Sequence, residues 1–288
     1  MTAGGKVLPE PQHFRRGAAL TVACHFGEWL QGRWGGTGPL ALITLMPDDL
    51  CVRARHRPAG SLVCHAVGHG ALPARSLVAL HRSLHLPMRG RTETRLPFAP
   101  GLGTGMSTAS LIAHARLAGY AGPPLALARA TIAAEGASDP LMFDKPDQII
   151  WASRQGRLLA SAPPPFRAHL LGGFFGPAQP TRAQDQDYDD ISDLLIAWPR
   201  ARQLAEAAAL ASESATRCQK RRGAADDPMP QLVRDLGALG WASSHSGAAR
   251  ALIFPVGGIP ARAPQLLREA GLYGIRPLAT GTRDSHSR

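Results

Sequence analysis

Short apolar runs and alternating positions predict β-strands near the start of the chain. Residues 20–22 and 40–45 are apolar runs, and residues 51–55 alternate apolar with charged side chains. Glycine-rich or Pro-Asp-Asp turns separate the three segments. Short strands bounded by turns are typical of an antiparallel sheet. We therefore expect the chain to open with such a sheet.

After residue 73 the leucines recur at the spacing of an α-helix. Leu77, Leu80 and Leu84 recur at intervals of three and four residues, which places them on one face of a helix. Two further helices are predicted over residues 104–117 and 125–134, and a hairpin over residues 148–159.

The second half of the chain contains both strand-like and helix-like patterns. Strands are predicted at residues 169–173, 251–254 and 273–275, and helices at 191–198, 201–218, 230–236 and 263–270. Strands and helices do not alternate strictly, which favours an α+β fold over a doubly wound sheet. Three successive prolines at 163–165 suggest a boundary, which predicts domains over residues 18–164 and 165–279. The segments outside them carry no apolar period, so we expect a loose arm and a frayed tail.

The amino-acid composition limits the classes of protein to which this chain could belong. The 288 residues are 44% apolar and 18% charged, which fits a chain that buries a sizeable core. We find no apolar run of membrane-spanning length and no signal-peptide pattern, so we expect a cytoplasmic protein without a membrane segment. The four cysteines form no CxxC pair and are interpreted as reduced thiols.

The net charge of +11 raises the possibility of a nucleic-acid partner. The basic residues are almost all arginines scattered singly, and the densest cluster is the short stretch at residues 220–222. Because no basic stripe is interleaved with aromatic residues, we expect nucleic acid to be an unlikely partner.

A glycine-rich segment at residues 97–110 carries the clearest chemistry. Three glycines and four hydroxyl residues lead directly into a predicted helix. Such a loop can expose backbone N–H groups at a helix N-terminus, where the helix dipole favours a phosphate, and its hydroxyls can bind Mg²⁺. No lysine follows, so it is not a Walker A loop, and a plain glycine turn with a Ser/Thr cap is the structural alternative.

The amino-acid sequence of this loop, Pro-x-x-x-Gly-Leu-Gly, resembles the second motif of the GHMP kinases. Within that superfamily the chain looks most like the L-threonine kinases associated with propanediol utilisation and cobalamin assembly. The segments that carry this resemblance are residues 24–32, 103–109, 138–144, 211–215 with Gln219, and 240–248. They lie in the family order and span nearly the whole folded chain.

The resemblance implies a two-domain fold: an N-terminal domain like ribosomal protein S5 domain 2, and a C-terminal ferredoxin-like α/β sandwich. It implies a phosphotransferase that uses ATP and Mg²⁺, with L-threonine as the leading acceptor and O-phospho-L-threonine as the product. A kinase for serine, homoserine or an amino alcohol, and a non-catalytic nucleotide sensor, are the alternatives. We expect a monomer or a homodimer with small-molecule partners.

The resemblance also assigns residues. The nucleotide-binding loop comprises Pro100, Gly101, Leu102, Gly103, Thr104, Gly105, Met106, Ser107 and Thr108. Glu135, with Ser107 or Thr108, is the expected Mg²⁺ ligand set. Asp139 is the expected catalytic base, with Asp144 as the fallback. Glu28 is expected to bind a substrate ammonium group, and the substrate loop comprises His245, Ser246 and Gly247.

Two further groups of residues are expected to be structural. His81 and His85 could pair on a helix, but they supply too few ligands for a metal site and are expected at the surface. The five tryptophans are expected in the core or in pocket walls.

Overall fold

The computed structural model describes residues 18–70, 72–179, 184–224, 226–245 and 247–281. Strands and helices form an α+β architecture, as the sequence pattern predicts. The strands are β1 (Ala19–Ala23), β2 (Glu28–Arg33), β3 (Leu40–Thr44), β4 (Cys51–Arg57), β5 (Leu62–Val67), β6 (Gly90–Arg95), β7 (Ile149–Ala152), β8 (Arg157–Ser161), β9 (Ala168–Phe174), β10 (Gly240–Ser243), β11 (Ala249–Phe254) and β12 (Tyr273–Thr280). The helices are α1 (Ala74–Ser83), α2 (Met106–Leu117), α3 (Pro124–Glu135), α4 (Ser192–Ala197), α5 (Leu204–Arg222), α6 (Met229–Leu236) and α7 (Ala263–Glu269), with 3-10 turns at Pro146–Gln148 and Trp198–Arg200.

The strands form two sheets. The smaller sheet has the order β1-β4-β6-β5, and the larger sheet has the order β12-β9-β11-β10-β2-β3-β7-β8. Each pair of neighbouring strands is antiparallel except β5 with β6. The expected antiparallel start is confirmed for β1 and β4, which pair with each other, but β3 lies in the larger sheet and not in theirs. Helix α2 packs on β1 and β4 of the smaller sheet, and α5 packs on β2 and β10 of the larger sheet.

The larger sheet joins the two halves of the chain. Glu28 on β2 lies opposite Ser243 on β10. The Gln31 side chain donates hydrogen bonds to the Ser243 carbonyl at 2.9 Å and to its hydroxyl at 2.7 Å, and the Gln31 N–H donates to Ser214 Oγ on α5 at 2.8 Å. Three of the segments that carry the family resemblance therefore meet at this buried point. A domain boundary near residue 164 stays a prediction, because this sheet contains strands from both sides of it.

Strands β2, β5, β6 and β10 lie outside the segments whose apolar pattern predicted a strand. Strand β6 reads Gly-Arg-Thr-Glu-Thr-Arg, and its inward positions are the buried Thr92 and Thr94. Because threonine rather than an aliphatic residue faces the core, the strand has no apolar alternation that a pattern could detect.

The smaller sheet gathers arginines that are far apart in sequence. Arg53 lies opposite Arg95, and Arg57 lies opposite Arg91. Glu93 is the acidic residue among them and is 2.6 Å from Arg55 Nε. Sequence spacing did not show this clustering, because it arises from strand register.

The basic cluster at residues 220–222 is partly neutralised. It forms the last turn of α5, where Arg221 pairs with Asp187 at 2.6 Å and Asp189 at 2.7 Å. Arg222 pairs with Asp185. Two of the three cations therefore hold the segment that precedes α4 against α5.

The buried side chains confirm most expectations for the core. Trp29, Trp151, Trp198 and Trp241 are each at most 2% exposed, and Trp34 packs against the same core. The cysteines are free. The surface position expected for His81 is wrong: its ring is buried, and Nδ1 lies 2.7 Å from the Pro87 carbonyl oxygen. Among the described helices, none has the length and apolar character needed to cross a bilayer.

We expect Trp198→Ala to lower the free energy of unfolding by about 3–5 kcal/mol, because it empties a large space in the core. Trp198 contacts Trp29 with ring centroids 5.5 Å apart and Phe166 at 6.5 Å. Urea titration measures the change. The control is Ile196→Ala on the adjoining helix, since Ile196 is 54% exposed and its truncation should cost at most about 0.5 kcal/mol. Equal costs for the two variants would contradict this packing.

Candidate functional site

A cavity of about 560 Å³ lies where the glycine loop, the end of α3, the start of β2 and the β7–β8 turn meet. It brings together most of the residues that the sequence singled out. These are Glu28, Pro100, Gly101, Gly103, Thr104, Gly105, Met106, Ser107, Thr108, Glu135, Asp139 and His245. Residues up to 217 positions apart in sequence, Glu28 and His245, therefore line one space.

Two of the predicted residues are placed differently. Leu102 points into the core, and its carbonyl accepts a hydrogen bond from the Ala249 N–H at 2.9 Å. Gly247 lies behind the loop, where a Cβ atom would come within 2.4 Å of the Gly103 nitrogen. Both residues shape the loop rather than line the cavity. Ser246 lies outside the described residues.

The glycine loop takes a backbone path that side chains would obstruct. Gly101, Gly103 and Gly105 have φ values of +86°, +82° and +68°. A Cβ atom on Gly103 would lie 2.2 Å from Ser244 Cβ, and one on Gly105 would lie 2.4 Å from His25 Cδ2. Glycine is therefore required both for the left-handed conformation and for the close approach of neighbouring side chains.

Helix α2 begins directly after this loop, at the cavity. Its N-cap is Gly105, and no side chain caps the first turn. The N–H groups at a helix start carry partial positive charge and need an acceptor, so this end of α2 is suited to an anion such as a phosphate.

Ser107 and Glu135 form one polar pair in the cavity. The Ser107 hydroxyl donates a hydrogen bond to Glu135 Oε1. Burial raises the pKa of Glu135, opposed by this hydrogen bond, and the nearby Asp139 charge raises it further. A carboxylate beside a hydroxyl is a donor set that Mg²⁺ accepts, so these two residues fit a divalent cation.

Thr108 contacts Asp139 rather than Glu135. It is 4% exposed, and its Oγ1 accepts a hydrogen bond from the Asp139 N–H at 3.5 Å. The sequence did not decide whether Ser107 or Thr108 would bind Mg²⁺. In the structure the two hydroxyls face different carboxylate residues, Ser107 facing Glu135 and Thr108 facing Asp139.

His25 lies between two carboxylates. Its Nε2 atom is 3.2 Å from Asp139 Oδ2, and its Nδ1 atom is 3.4 Å from Glu28 Oε1. The side chains of His25 and Glu28 are 4% and 0% exposed, whereas that of Asp139 is 24% exposed toward the cavity. These three groups lie close enough to share a metal ion, but an imidazolium already balances the carboxylates in this arrangement.

Proton binding in this cluster follows from burial and charge. Burial disfavours a charged imidazole, but Asp139 and Glu28 outweigh it and raise the pKa of His25 to about 9. Burial raises the pKa of Glu28 to about 8 against the opposing effect of His25. Burial also raises the pKa of Asp139, but the charge and hydrogen bond of His25 dominate and hold it below its usual value. Asp139 is thus kept ionised at neutral pH.

The backbone before Asp139 is firmly held. Trp151 Nε1 donates a hydrogen bond to the Ser138 carbonyl at 2.7 Å, and the Ser138 N–H donates to the Ser153 carbonyl at 3.0 Å. Thr131 Oγ1 also donates to Ser138 Oγ at 2.7 Å. Asp144, by contrast, is exposed and does not line the cavity among the described residues.

Sequence reasoning gave no role to several residues that line the cavity, among them Arg75 and Gln179, and the two buried cationic or basic side chains it missed are His25 and Arg154. His25 stood inside a motif quoted for the resemblance, but only the fold shows that it reaches Asp139. Arg154 lies in the hairpin turn that the sequence predicted, where an arginine is unremarkable. A motif scan gives no signal for either residue, because both depend on which backbone segments meet.

No protein-family model matches this sequence, and no curated protein matches it significantly. Solved structures do match by fold. Mevalonate kinase from L. major, in complex with R-mevalonate, has a TM-score of 0.61 and 11% identity, over 94% of this chain and 98% of that chain. Homoserine kinase from Cytophaga hutchinsonii has a TM-score of 0.51 and 12% identity, over 96% and 97% of the two chains.

A third match is mevalonate pyrophosphate decarboxylase from Streptococcus pyogenes, with a TM-score of 0.59 and 12% identity over 96% of this chain and 100% of that chain. At these identities the likeness concerns the fold and not the activity. Over nearly its whole length, this chain has the mixed α+β fold of the GHMP kinases.

Proposed function

We propose that this protein is a kinase that transfers the γ-phosphoryl group of ATP to the hydroxyl of a small metabolite, with L-threonine as the leading acceptor. The observation that carries the proposal is the placement of Asp139. Its carboxylate is paired with buried His25 and faces a cavity that the glycine loop at the start of α2 also lines. A base and a phosphate-binding loop thus share one space.

The glycine loop and the first turn of α2 would hold the triphosphate through backbone N–H groups. Ser107 and Glu135 would hold Mg²⁺, because their oxygens already meet at the cavity wall. When bound, Mg²⁺ would neutralise part of the negative charge on the phosphates.

Asp139 would orient the acceptor hydroxyl and receive its proton. The acceptor O–H bond breaks, its oxygen forms a bond to the γ-phosphorus, and ADP leaves with the electrons of the broken P–O bond. Because phosphoryl transfer has a loose transition state, positioning of the hydroxyl matters more than the strength of the base. His25 supports both demands, since it fixes the carboxylate and keeps it ionised.

The choice of threonine rests on the sequence resemblance together with Glu28. This buried carboxyl lines the cavity and is suited to an ammonium group, which an amino acid or an amino alcohol carries. His245 lies on the same side as Asp139, where it would contact the acceptor. Ser246 and Gly247 belong to the same proposed substrate loop. Serine and homoserine carry the same groups and remain alternative acceptors.

The first prediction is that Mg-ATP and L-threonine yield ADP and a phosphomonoester, and that Asp139→Asn lowers kcat by about 10²–10⁴-fold because the amide cannot accept the proton. The assay measures ADP release over threonine, serine, homoserine, 1-amino-2-propanol and sugars, with phosphorus NMR of the product. Asp144→Asn separates the two candidate bases and should change kcat less than about 2-fold. ATP binding without turnover on any acceptor would favour a nucleotide sensor instead.

The second prediction concerns pH. His25 lowers the pKa of Asp139, so removing its charge should raise that pKa. In His25→Gln the acidic limb of kcat/KM is expected to move to higher pH by about one unit or more. Superimposable profiles would rule out this role for His25.

The third prediction concerns the loop. Gly103→Ala should raise the KM for ATP by about 10-fold or more, because its Cβ atom would collide with Ser244 and displace the loop backbone. Gly257→Ala is the matched control: Gly257 has a similar φ of +79°, but no atom lies within 4 Å of its added Cβ. Both variants incur backbone strain of about 1 kcal/mol, measured by thermal unfolding. An equal effect on the KM for ATP would contradict a specific role for Gly103.

A further inference from the structure

Tyr188 is buried beside the cavity and stacks on His245. It is 3% exposed, and the two ring centroids lie 4.3 Å apart with only 5° between the ring planes. The Tyr188 hydroxyl also donates a hydrogen bond to the His245 carbonyl oxygen at 2.8 Å. The side chain and the backbone of His245 are therefore both held by one residue, which is not among the described residues that line the cavity.

Charged side chains from two other elements hold the segment that carries Tyr188. The guanidinium carbon of Arg222 on α5 lies 4.1 Å from the centre of the Tyr188 ring, and Arg222 pairs with Asp185. A guanidinium over an aromatic ring is attracted by the negative face of the ring. Arg33 on β2 donates hydrogen bonds to the Gln186 carbonyl oxygen at 2.7 and 3.0 Å. The position of Tyr188 is thus set by groups outside the cavity.

The turn between β10 and β11, which carries His245, depends on Tyr188 at that residue. Other parts of the turn contact the glycine loop: a Cβ atom on Gly103 would lie 2.2 Å from Ser244 Cβ and 3.2 Å from Gly247 Cα. The Gly247 N–H also donates to Ser244 Oγ at 3.1 Å. Among the described residues, Tyr188 is the hydrogen-bond partner of His245. Its removal would therefore free His245 more than the rest of the turn.

His245 needs such support because its ring has nothing else to orient it. The ring lines the cavity, and both of its nitrogens are buried without a partner among the described residues. Burial and the charges of Arg154 and Arg222 lower the pKa of His245 to about 3, so the ring is neutral near pH 7 and has one donor and one acceptor. A ring that is oriented before a ligand arrives binds it more tightly, because no side-chain entropy is lost on binding.

We propose that Tyr188 is a positioning residue that fixes the His245 ring at the cavity before the acceptor binds. This inference rests on the proposed function, in which His245 contacts the acceptor. Tyr188 acts through His245 and not on the acceptor or the nucleotide. Sequence gives no signal for this role, because Tyr188 stands among aspartates 57 positions before His245.

Steady-state kinetics test the effect on the acceptor. Tyr188→Phe keeps the ring and loses one neutral hydrogen bond, so it should raise the KM for L-threonine about 3-fold. Tyr188→Leu also loses the stack and should raise this KM about 10-fold or more. In both variants the KM for ATP should change less than about 2-fold. The matched control is Tyr120→Phe, whose hydroxyl donates to the Pro123 carbonyl at 2.9 Å outside the cavity and whose loss should leave both KM values unchanged.

A double-mutant cycle separates action through His245 from a general loosening of the fold. His245→Ala should itself raise the KM for L-threonine. Adding Tyr188→Leu to that variant should raise it less than about 2-fold further, because the residue that Tyr188 positions is already gone. Independent structural effects would instead add.

Nuclear magnetic resonance tests the positioning without turnover. The ring C–H signal of His245 is assigned by its disappearance in His245→Ala. Because Tyr188 stacks on the ring, Tyr188→Leu should move this signal toward that of an exposed histidine, whereas Tyr188→Phe and Tyr120→Phe should leave it near the wild-type position. The spectra are compared at a temperature where thermal unfolding shows each variant to be folded. If Tyr188→Leu does not fold, Tyr188→Phe decides, and an unchanged KM for L-threonine in that variant counts against the proposal.

The proposal is overturned if the His245 signal does not move in Tyr188→Leu, if the KM for ATP rises as much as the KM for the acceptor, or if the effects of Tyr188→Leu and His245→Ala add. A moved signal in a protein that phosphorylates none of the acceptors tested would uphold the positioning of His245 and overturn the kinase function. Turnover with an acceptor KM that Tyr188→Leu leaves unchanged would do the reverse.

Discussion

Burial of the His25 imidazole between Asp139 and Glu28 is the interaction on which the arrangement of the site depends. The ring can remain charged away from water only because both carboxylates lie within 3.4 Å of it. It reaches that position only because Gly105 has no Cβ atom. One ion-paired cluster therefore ties the start of β2, the start of α2 and the turn after α3 together. Removing His25 or Asp139 alone would leave an uncompensated buried charge, which costs more than the pair contributes.

Another part of the cavity lining has unpaired polar groups. There Arg154 and His245 have no described hydrogen-bond partners on their side-chain nitrogens. Polar groups that a fold buries without satisfying them are destabilising, so proteins tend to retain them at functional sites. The cavity thus contains a charge cluster that is balanced internally, His25 with its carboxylate neighbours, and an arginine without a described hydrogen-bond partner.

The fold alone does not decide the chemistry. Structures similar to this chain include two named as kinases and one named as a decarboxylase, all at 11–12% identity. The same framework therefore accommodates more than one reaction. The case for phosphoryl transfer depends on particular residues: an ionised carboxylate, a glycine loop at a helix start, and the Ser107–Glu135 pair.

Local pattern determined much of this protein. Apolar periodicity predicted most helices and the longer core strands, and the glycine loop was found because three closely spaced glycines precede a predicted helix and match a family motif. Glu28, Glu135 and Asp139 were found through motif resemblance, and the structure brings them to one cavity. Strand β6 escaped because its buried positions are threonines, which carry no apolar signal. Only the tertiary structure decided the roles of His25 and Arg154, since charge pairing and burial depend on which distant segments meet. A sequence records which groups are available, whereas the packed fold decides which of them are paired and which are left for a ligand.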